Sequence, residues 1–572
     1  MRPDSKPEGI RQSMSWLHTW TGIVPGWLLY AVFFTGTLSY FLDEVNLWMK
    51  PELHASVPAA DAARIAAVAL AGMGKLAPDA NSWTLELPNE RQTTVSATWR
   101  DRNAPAGRAG TKRAELDAAT GEKIDTRETR GGSFLYRFHF ELHAMDRTTG
   151  RWIVGIATMF MFVAIISGVI THKKIFAEFF TFRPKKGQRS WLDAHNATAV
   201  LALPFHIMIT FSGLLLLMAT LMPWGADAAY DGNAQAYNME RRGMAPGGQG
   251  QGQGQGEQRN AGGREGREGG REGRGGRSRD GGGEAVDLAA AIGPMLAQAR
   301  TEWKNGGSNH EVGRITVNRP NKPGATVELR AHGSDSLTTR GASARLVFDA
   351  ATGKIKERPP LPTPSAASAF GNVFASAHMG RFAGPTVRWL LFLSGVVGTA
   401  MVATGLVLWV VKRAPERRKL GRTPFGHRLV EVTNTGVITG LALATGAYFW
   451  LNRLLPVELA ERAAWEINGF FLAWLAALVH AALRPARAAW LEQCIAVAVM
   501  FVLLPVLNPL TGGHGLDRSI ALGQAGIVGF DFAMLAIAAL FGWIARHLIR
   551  KDRPLAKAAP GAAPAELTEV TP

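Results

Sequence analysis

About eight runs of roughly twenty mostly apolar residues constrain this chain before any other feature does, because that is the length an α-helix needs to cross a hydrocarbon layer ~30 Å thick. The runs fall at 17–42, 152–172, 197–223, 387–411, 430–452, 464–483, 489–508 and 521–545. A net charge of +17 would suggest nucleic acid on a soluble surface, but 47% of the residues are hydrophobic and mean hydropathy is +0.01. Greasy spans alternating with basic connections account for both values. A lipid bilayer is therefore the expected partner and nucleic acid is not.

Orientation follows from the short basic connections, which resist translocation. Arg2, Lys6 and Arg11 precede the first run; Lys173, Lys174, Arg183, Lys185, Lys186 and Arg189 join the second to the third. Lys412, Arg413, Arg417, Arg418, Lys419 and Arg422 join the fourth to the fifth. Arg484 and Arg487, and Arg546, Arg550 and Lys551, follow the sixth and eighth. All belong inside, so both termini are expected there, and the long segments 43–150 and 224–386 outside. With no small-residue cleavage site after the first run, that run reads as an uncleaved anchor. The single cysteine, Cys494, excludes internal disulfides, a Cys-x-x-Cys-His haem attachment and a cysteine-held iron–sulfur cluster.

The chain repeats itself. His18 to Gly36, with Thr35 before the glycine, has the spacing of His195 to Gly213, with Ser212 before it. Arg151-Trp152 with Ser167-Gly168 matches Arg388-Trp389 with Thr404-Gly405. Asp117-Ala-Ala-Thr-Gly121 matches Asp349-Ala-Ala-Thr-Gly353, each between short β-rich runs, as in a hairpin turn whose glycine takes positive φ. The expected unit is span, α+β outer domain, span, repeated in tandem about an axis normal to the membrane. The expected divisions are 1–42, with the first span; 43–150, the first outer domain; 151–172 and 195–223, two spans; 224–284, an outer segment; 285–386, the second outer domain; and 387–411, the fourth span. Within 224–284, Gly243 to Gly283 is a Gly/Gln then Gly/Arg/Glu run whose composition suits a solvated linker. Residues 430–549 do not repeat the pattern and read as an appended four-helix membrane bundle, with a tail at 550–572.

The histidines sort by depth. His139, His143 and His378 stand at the outer edge, and His18, His172 and His195 at the inner edge, with His206 about three turns beyond His195. An iron macrocycle takes two axial imidazoles from facing helices, and two such groups at two depths would divide an electron's path across the bilayer. The favoured outer pair is His143 with His378, since both precede an Arg-Trp span start; His139, at i, i+4 from His143, is a supporting partner or alternative ligand. For the inner pair symmetry suggests His18 with His195, and His172 or His206 is able to replace either. Any one histidine at a membrane edge often just bonds a carbonyl; several at two matched depths point to function. His54, His310 and His332 read as surface residues. Glu466 and Asp531 are acids within apolar runs and need partners, with His480 or Asn468 in reach of the former in sequence.

Leu17-His18 with Thr35-Gly36, Leu142-His143 before Arg151-Trp152, His195 with Leu203-Pro204-Phe205-His206 and Ser212-Gly213, His378-Met379-Gly380 before Arg388-Trp389, and the two Asp-x-x-Thr-Gly turns together resemble the PepSY-associated transmembrane family, which includes bacterial inner-membrane ferric-siderophore reductases. The resemblance covers roughly 10–415. It implies an α-helical polytopic membrane protein of the bacterial inner membrane with two α+β PepSY-like periplasmic domains, haem b in the bundle, expected twice, and reduction of ferric siderophores outside. No Gly-x-Gly-x-x-Gly follows a strand and no Walker loop is present, so electrons are expected from a separate cytoplasmic reductase or a membrane quinol. Substrate is expected near Phe138, Phe140, Phe370 and Phe374. Two other readings are a non-enzymatic scaffold that restrains an exported partner, and a permease for the iron chelate; the paired broken helices of a permease are absent from the first four runs, though Pro204 can bend the third.

Overall fold

The computed structural model describes residues 9–101, 104–105, 110–172, 176, 181–233, 236, 286–333, 336–340, 342–380 and 382–552. The Gly243–Gly283 linker and the tail beyond 552 lie outside the described residues, as do Lys173 and Lys174 of the basic connection.

Proline sets the first breaks. Helix α1 (Ile10–Ile23) stops before Pro25, which caps α2 (Gly26–Leu38); a 3₁₀ turn then leads into α3 (Leu42–Trp48). The run long enough to cross a membrane is thus Gly26–Trp48 rather than 17–42. The third run breaks likewise. Helix α7 (Gln188–Leu201) ends one residue before α8 (Leu203–Leu221), which has Pro204 in its first turn, and α9 (Pro223–Ala229) follows. Between these lie α5 (Gly132–Glu141) and α6 (Arg147–Thr171), the latter started by Asp146 accepting from the amides of Thr148 and Thr149.

The two long polar segments build one sheet, where two separate domains were expected. Helix α4 (Ala62–Leu76) precedes β1 (Ser82–Glu86), β2 (Val95–Arg100), β3 (Thr111–Leu116) and β4 (Lys123–Ile124). Helix α10 (Leu288–Asn305) precedes β5 (Val312–Asn318), β6 (Thr326–Ala331), β7 (Arg345–Asp349) and β8 (Ile355–Glu357). The order is β4-β3-β2-β1-β5-β6-β7-β8, antiparallel throughout, with Leu85 opposite Ile315 at the central seam. Alternation puts Trp83, Leu85, Ala97, Ile315, Val317 and Leu329 on one buried face. Helices α4 and α10 cover that face, each started by an aspartate cap, Asp61 and Asp287. In the turn after β3, Asp117 accepts from the amides of Ala119 and Thr120, and Gly121 sits at φ +74. Asp349 repeats this with Thr352 after β7, and those donors hold its carboxyl below the usual range.

Helix α11 (Ala366–Met379), started by Ser365, leads to α12 (Pro385–Lys419). Then come α13 (Phe425–Leu454), α14 (Arg462–Leu483), α15 (Ala486–Leu510), α16 (Leu516–Ala521) and α17 (Ala525–Asp552). Seven of the described helical runs are long and apolar enough to span a membrane: Gly26–Trp48, α6, α8, α12, α14, α15 and Ala525–Arg550. The expected run at 430–452 is the exception, and its burial explains why. Thr435, Gly436, Thr439, Gly440, Thr445 and Gly446 lower the hydropathy of α13, yet all are buried against protein and not lipid. A methyl on Gly436 would collide with Leu478 of α14, and one on Gly446 would stand 3.0 Å from Phe501 of α15.

Buried polar contacts tie this C-terminal bundle to the rest. Glu466, fully buried, is bonded by Arg462, by Asn452 at 2.9 Å and by the Thr129 hydroxyl at 2.5 Å; neither His480 nor Asn468 is its partner. His480 instead meets Glu492 at 2.7 Å. The Tyr448 hydroxyl donates to the Gly131 carbonyl at the start of α5 (3.0 Å), and Asp531 accepts from the Trp48 indole (3.0 Å).

Candidate functional site

Two pairs of histidines face each other inside the first part of the helical bundle. The His18 and His195 rings have centroids 6.2 Å apart at 58°, and the His139 and His378 rings 6.1 Å apart at 43°. Each pair joins one histidine from the helices that flank the sheet's first four strands and one from α7 or α11: α1 with α7, and α5 with α11.

One local device holds all four rings. The Nδ1 atoms of His18, His139 and His195 lie 2.8, 2.7 and 3.0 Å from the carbonyls of Ala164, Val32 and Met401. Each of those carbonyls sits four residues before a glycine, Gly168, Gly36 and Gly405, and that glycine is where the ring packs. His378 packs at Gly213 in the same way and takes its Nδ1 contact from the Ser212 hydroxyl at 2.8 Å. A Cβ at Gly36 would stand 2.5 Å from the His139 ring, at Gly168 3.0 Å from His18, at Gly405 3.1 Å from His195 and at Gly213 3.4 Å from His378. The repeated Ser/Thr-Gly pairs therefore mark imidazole seats. The hydroxyls of Thr35, Ser167, Ser212 and Thr404 turn back to carbonyls in their own helices, leaving the glycine face clear.

Depth follows from helix rise. Gly26 of α2 packs on Leu406, beside the seat of His195, and Gly36 of the same helix seats His139 ten residues on. Thr158 of α6 lies beside Gly213, and Gly168 seats His18 ten residues on. Both routes put the two pairs about 15 Å apart along the bundle, at 1.5 Å per residue. The His139/His378 pair is on the sheet side and lines a cavity of about 910 Å³; the His18/His195 pair is distal.

The arrangement differs from the sequence expectation in one partner. His139, and not His143, faces His378. Helix α5 ends at Glu141, Leu142 turns at φ +59, and the His143 ring stacks on Phe471 of α14 at 5.3 Å and 17°. His172 follows the end of α6, its amide bonded to Gly168, and is not a member of the facing pair. His206 is 1% exposed, edge-on to Phe33 at 6.2 Å, and its Nε2 has no partner among the described residues. Of the expected aromatics, Phe140 lines the cavity, while Phe138 turns to Phe470 and Phe471. Phe370 and Phe374 pack on each other at 4.8 Å.

A further histidine pair shows what the two facing pairs are not. His54, read from sequence as a surface residue, is fully buried with its ring centroid 5.8 Å from that of His514. Both of its nitrogens are engaged, Nε2 with the Leu47 carbonyl at 3.0 Å and Nδ1 with the His514 amide at 3.1 Å. That pair is a structural polar contact. In the other two pairs the backbone-side contacts use Nδ1 and leave Nε2 as the remaining ring nitrogen. Among the described residues no cluster of three or more His, Cys, Asp or Glu is placed to hold a metal ion. No curated protein matches the chain. A family model does, over residues 15–412, which span all four seated histidines, and on that match the chain belongs to the family described as the PepSY-associated TM region.

Proposed function

We propose that the chain holds two haem groups, one between His139 and His378 and one between His18 and His195, and moves electrons along the bundle to reduce ferric chelates on the sheet side. The observation that carries this reading is the ring separation together with the Nε2 left on each ring, since the His54/His514 rings stand as close but both His54 nitrogens are engaged. Two imidazoles ligating one metal from opposite sides at about 2 Å each have ring centres about 6 Å apart. A bare ion would need further protein ligands, and among the described residues no third one stands at either pair, so a group that brings its own remaining ligands would fit. Haem bound at each pair would supply one-electron chemistry.

The chain's own residues do the rest. Carbonyls of Val32, Ala164 and Met401 and the hydroxyl of Ser212 fix ring orientation and leave Nε2 for the metal. The distal pair is presented by α1 and α7, and the cavity admits a ligand at the sheet-side pair. The matching element order of the two halves supports a tandem duplication in which each half contributes one ligand per group. The basic connections support a bacterial inner membrane with the PepSY-like sheet in the periplasm, where a ferric siderophore is the expected substrate. Reduction weakens the grip of hard oxygen donors on iron. A cytoplasmic reductase or a quinol would supply the electrons at the distal pair.

The test is an oxidised-minus-reduced visible spectrum of the purified chain and its histidine variants. His139→Ala and His378→Ala each remove one haem signal, His18→Ala and His195→Ala the other, and His143→Ala removes neither. A wild-type chain without a haem spectrum sinks the proposal.

A further inference from the structure

The cavity around His139 and His378 changes character along its depth. Its deep wall is apolar, built by Leu29, Val32, Phe33, Met161 and Ile209. Its sheet-side rim carries five arginines, Arg91, Arg137, Arg151, Arg340 and Arg388, against four acids, Asp43, Glu141 and Asp227 in the lining and Glu44 behind Arg91 and Arg388. The arginines come from five separate places: the β1–β2 hairpin, α5, α6, the β6–β7 connection and α12. No single charged helix face produces that convergence.

Several of these guanidiniums are held in position. Arg91 bonds Asp43 at 2.8 Å and Glu44 at 2.7 Å. Arg388, 15% exposed, donates to the Ala383 carbonyl at 3.1 Å and lies 3.6 Å from Glu44. Arg137 reaches Glu141 at 3.2 Å, two residues beyond His139. Fixed, partly desolvated guanidiniums bind carboxylates through strong charge-assisted hydrogen bonds.

We infer that this rim is a carboxylate-binding site set over the sheet-side histidine pair. Two sources bring that chemistry. One is the pair of carboxylates at the edge of the haem itself, an origin that rests on the proposed function: apolar wall, imidazoles and cationic rim lie in one volume that suits a flat apolar ring with two acids on one side. The other is a free ferric carboxylate chelate entering from the sheet side.

The experiment uses the full-length chain with Arg137→Gln and Arg388→Gln, each beside its lysine counterpart, and reads haem content, the reduction potential of each centre, and the Kd for ferric citrate. The distal centre serves as the internal control for folding. If haem carboxylates occupy the rim, the glutamine variants lower the sheet-side potential, because a removed positive charge disfavours the added electron; lysine restores it, and ferric citrate binding is unchanged. If a free chelate occupies it, the potentials stay put and Kd for ferric citrate rises about tenfold, the effect of losing one charge-assisted hydrogen bond. Unchanged potential and unchanged Kd, with haem content retained, overturn the site, and so does failure of lysine to restore either effect. A haem-free wild-type chain refutes the functional reading instead, and the ferric citrate Kd of the glutamine variants then decides the rim alone.

Discussion

Adding one methyl group at each of the four imidazole seats tests the proposed haem sites more sharply than deleting the histidines, because the structure ranks the outcomes. In Gly36→Ala the new Cβ stands 2.5 and 2.6 Å from two atoms of the His139 ring. Ordinary contact begins near 3.4 Å, so the ring must withdraw by about 1 Å. Withdrawal stretches the 2.7 Å contact between Nδ1 and the Val32 carbonyl and changes the 6.1 Å gap to His378. Overpacking of this kind costs about 1–3 kcal/mol, roughly a 5- to 150-fold loss of affinity for whatever the pair holds. Gly213→Ala places its Cβ at 3.4 Å and is tolerated, while Gly168→Ala and Gly405→Ala, at 3.0 and 3.1 Å, fall between and act on the distal centre. The assay is haem bound per chain, resolved into two centres by difference spectroscopy and redox titration. Equal haem content across the four variants, or a larger loss in Gly213→Ala than in Gly36→Ala, refutes the seat argument.

Replacing Glu466 with Gln leaves Arg462, which is fully buried, without its charge partner, and lowers stability by about 3–5 kcal/mol; thermal unfolding of the purified chain measures it, and the Arg462→Met/Glu466→Leu double variant should recover much of the loss. His206→Phe retains both haem signals, since the ring belongs to neither facing pair; disappearance of either signal would make His206 a ligand.

The parts of this architecture that depend on spacing were legible in the sequence. Equal intervals from histidine to glycine in the two halves exposed the repeat, and the symmetry argument paired His18 with His195; that Gly36, Gly168, Gly213 and Gly405 are where the rings pack was not legible, because each ring sits on a glycine of another helix. What spacing cannot reveal is where a helix stops. The choice between His139 and His143 turns on Leu142 and Ala144, which take positive φ although neither is glycine, so no turn residue announces the end of α5. The buried histidine His54 was hidden for a related reason: its partner His514 lies 460 residues away, and only the packed bundle brings the two together. The C-terminal bundle also gains a role that its separate pattern did not suggest. Phe134 packs on Tyr448 and Phe470, and Thr129 and Gly131 are bonded by Glu466 and Tyr448, so the helix presenting His139 is braced from behind.

The central seam of the sheet governs the order in which the molecule can be assembled. Strand β1 finds its second neighbour only in β5, with Glu86 and Arg314 separated by 228 positions along the chain. During synthesis the first four strands must wait, β1 bare along one edge, while α5 to α10 are made. A bare ladder of that kind recruits strands from other molecules. A product truncated after α8 would therefore carry an adhesive border in place of a finished roof, and the late pairing of β5 is the event that seals it.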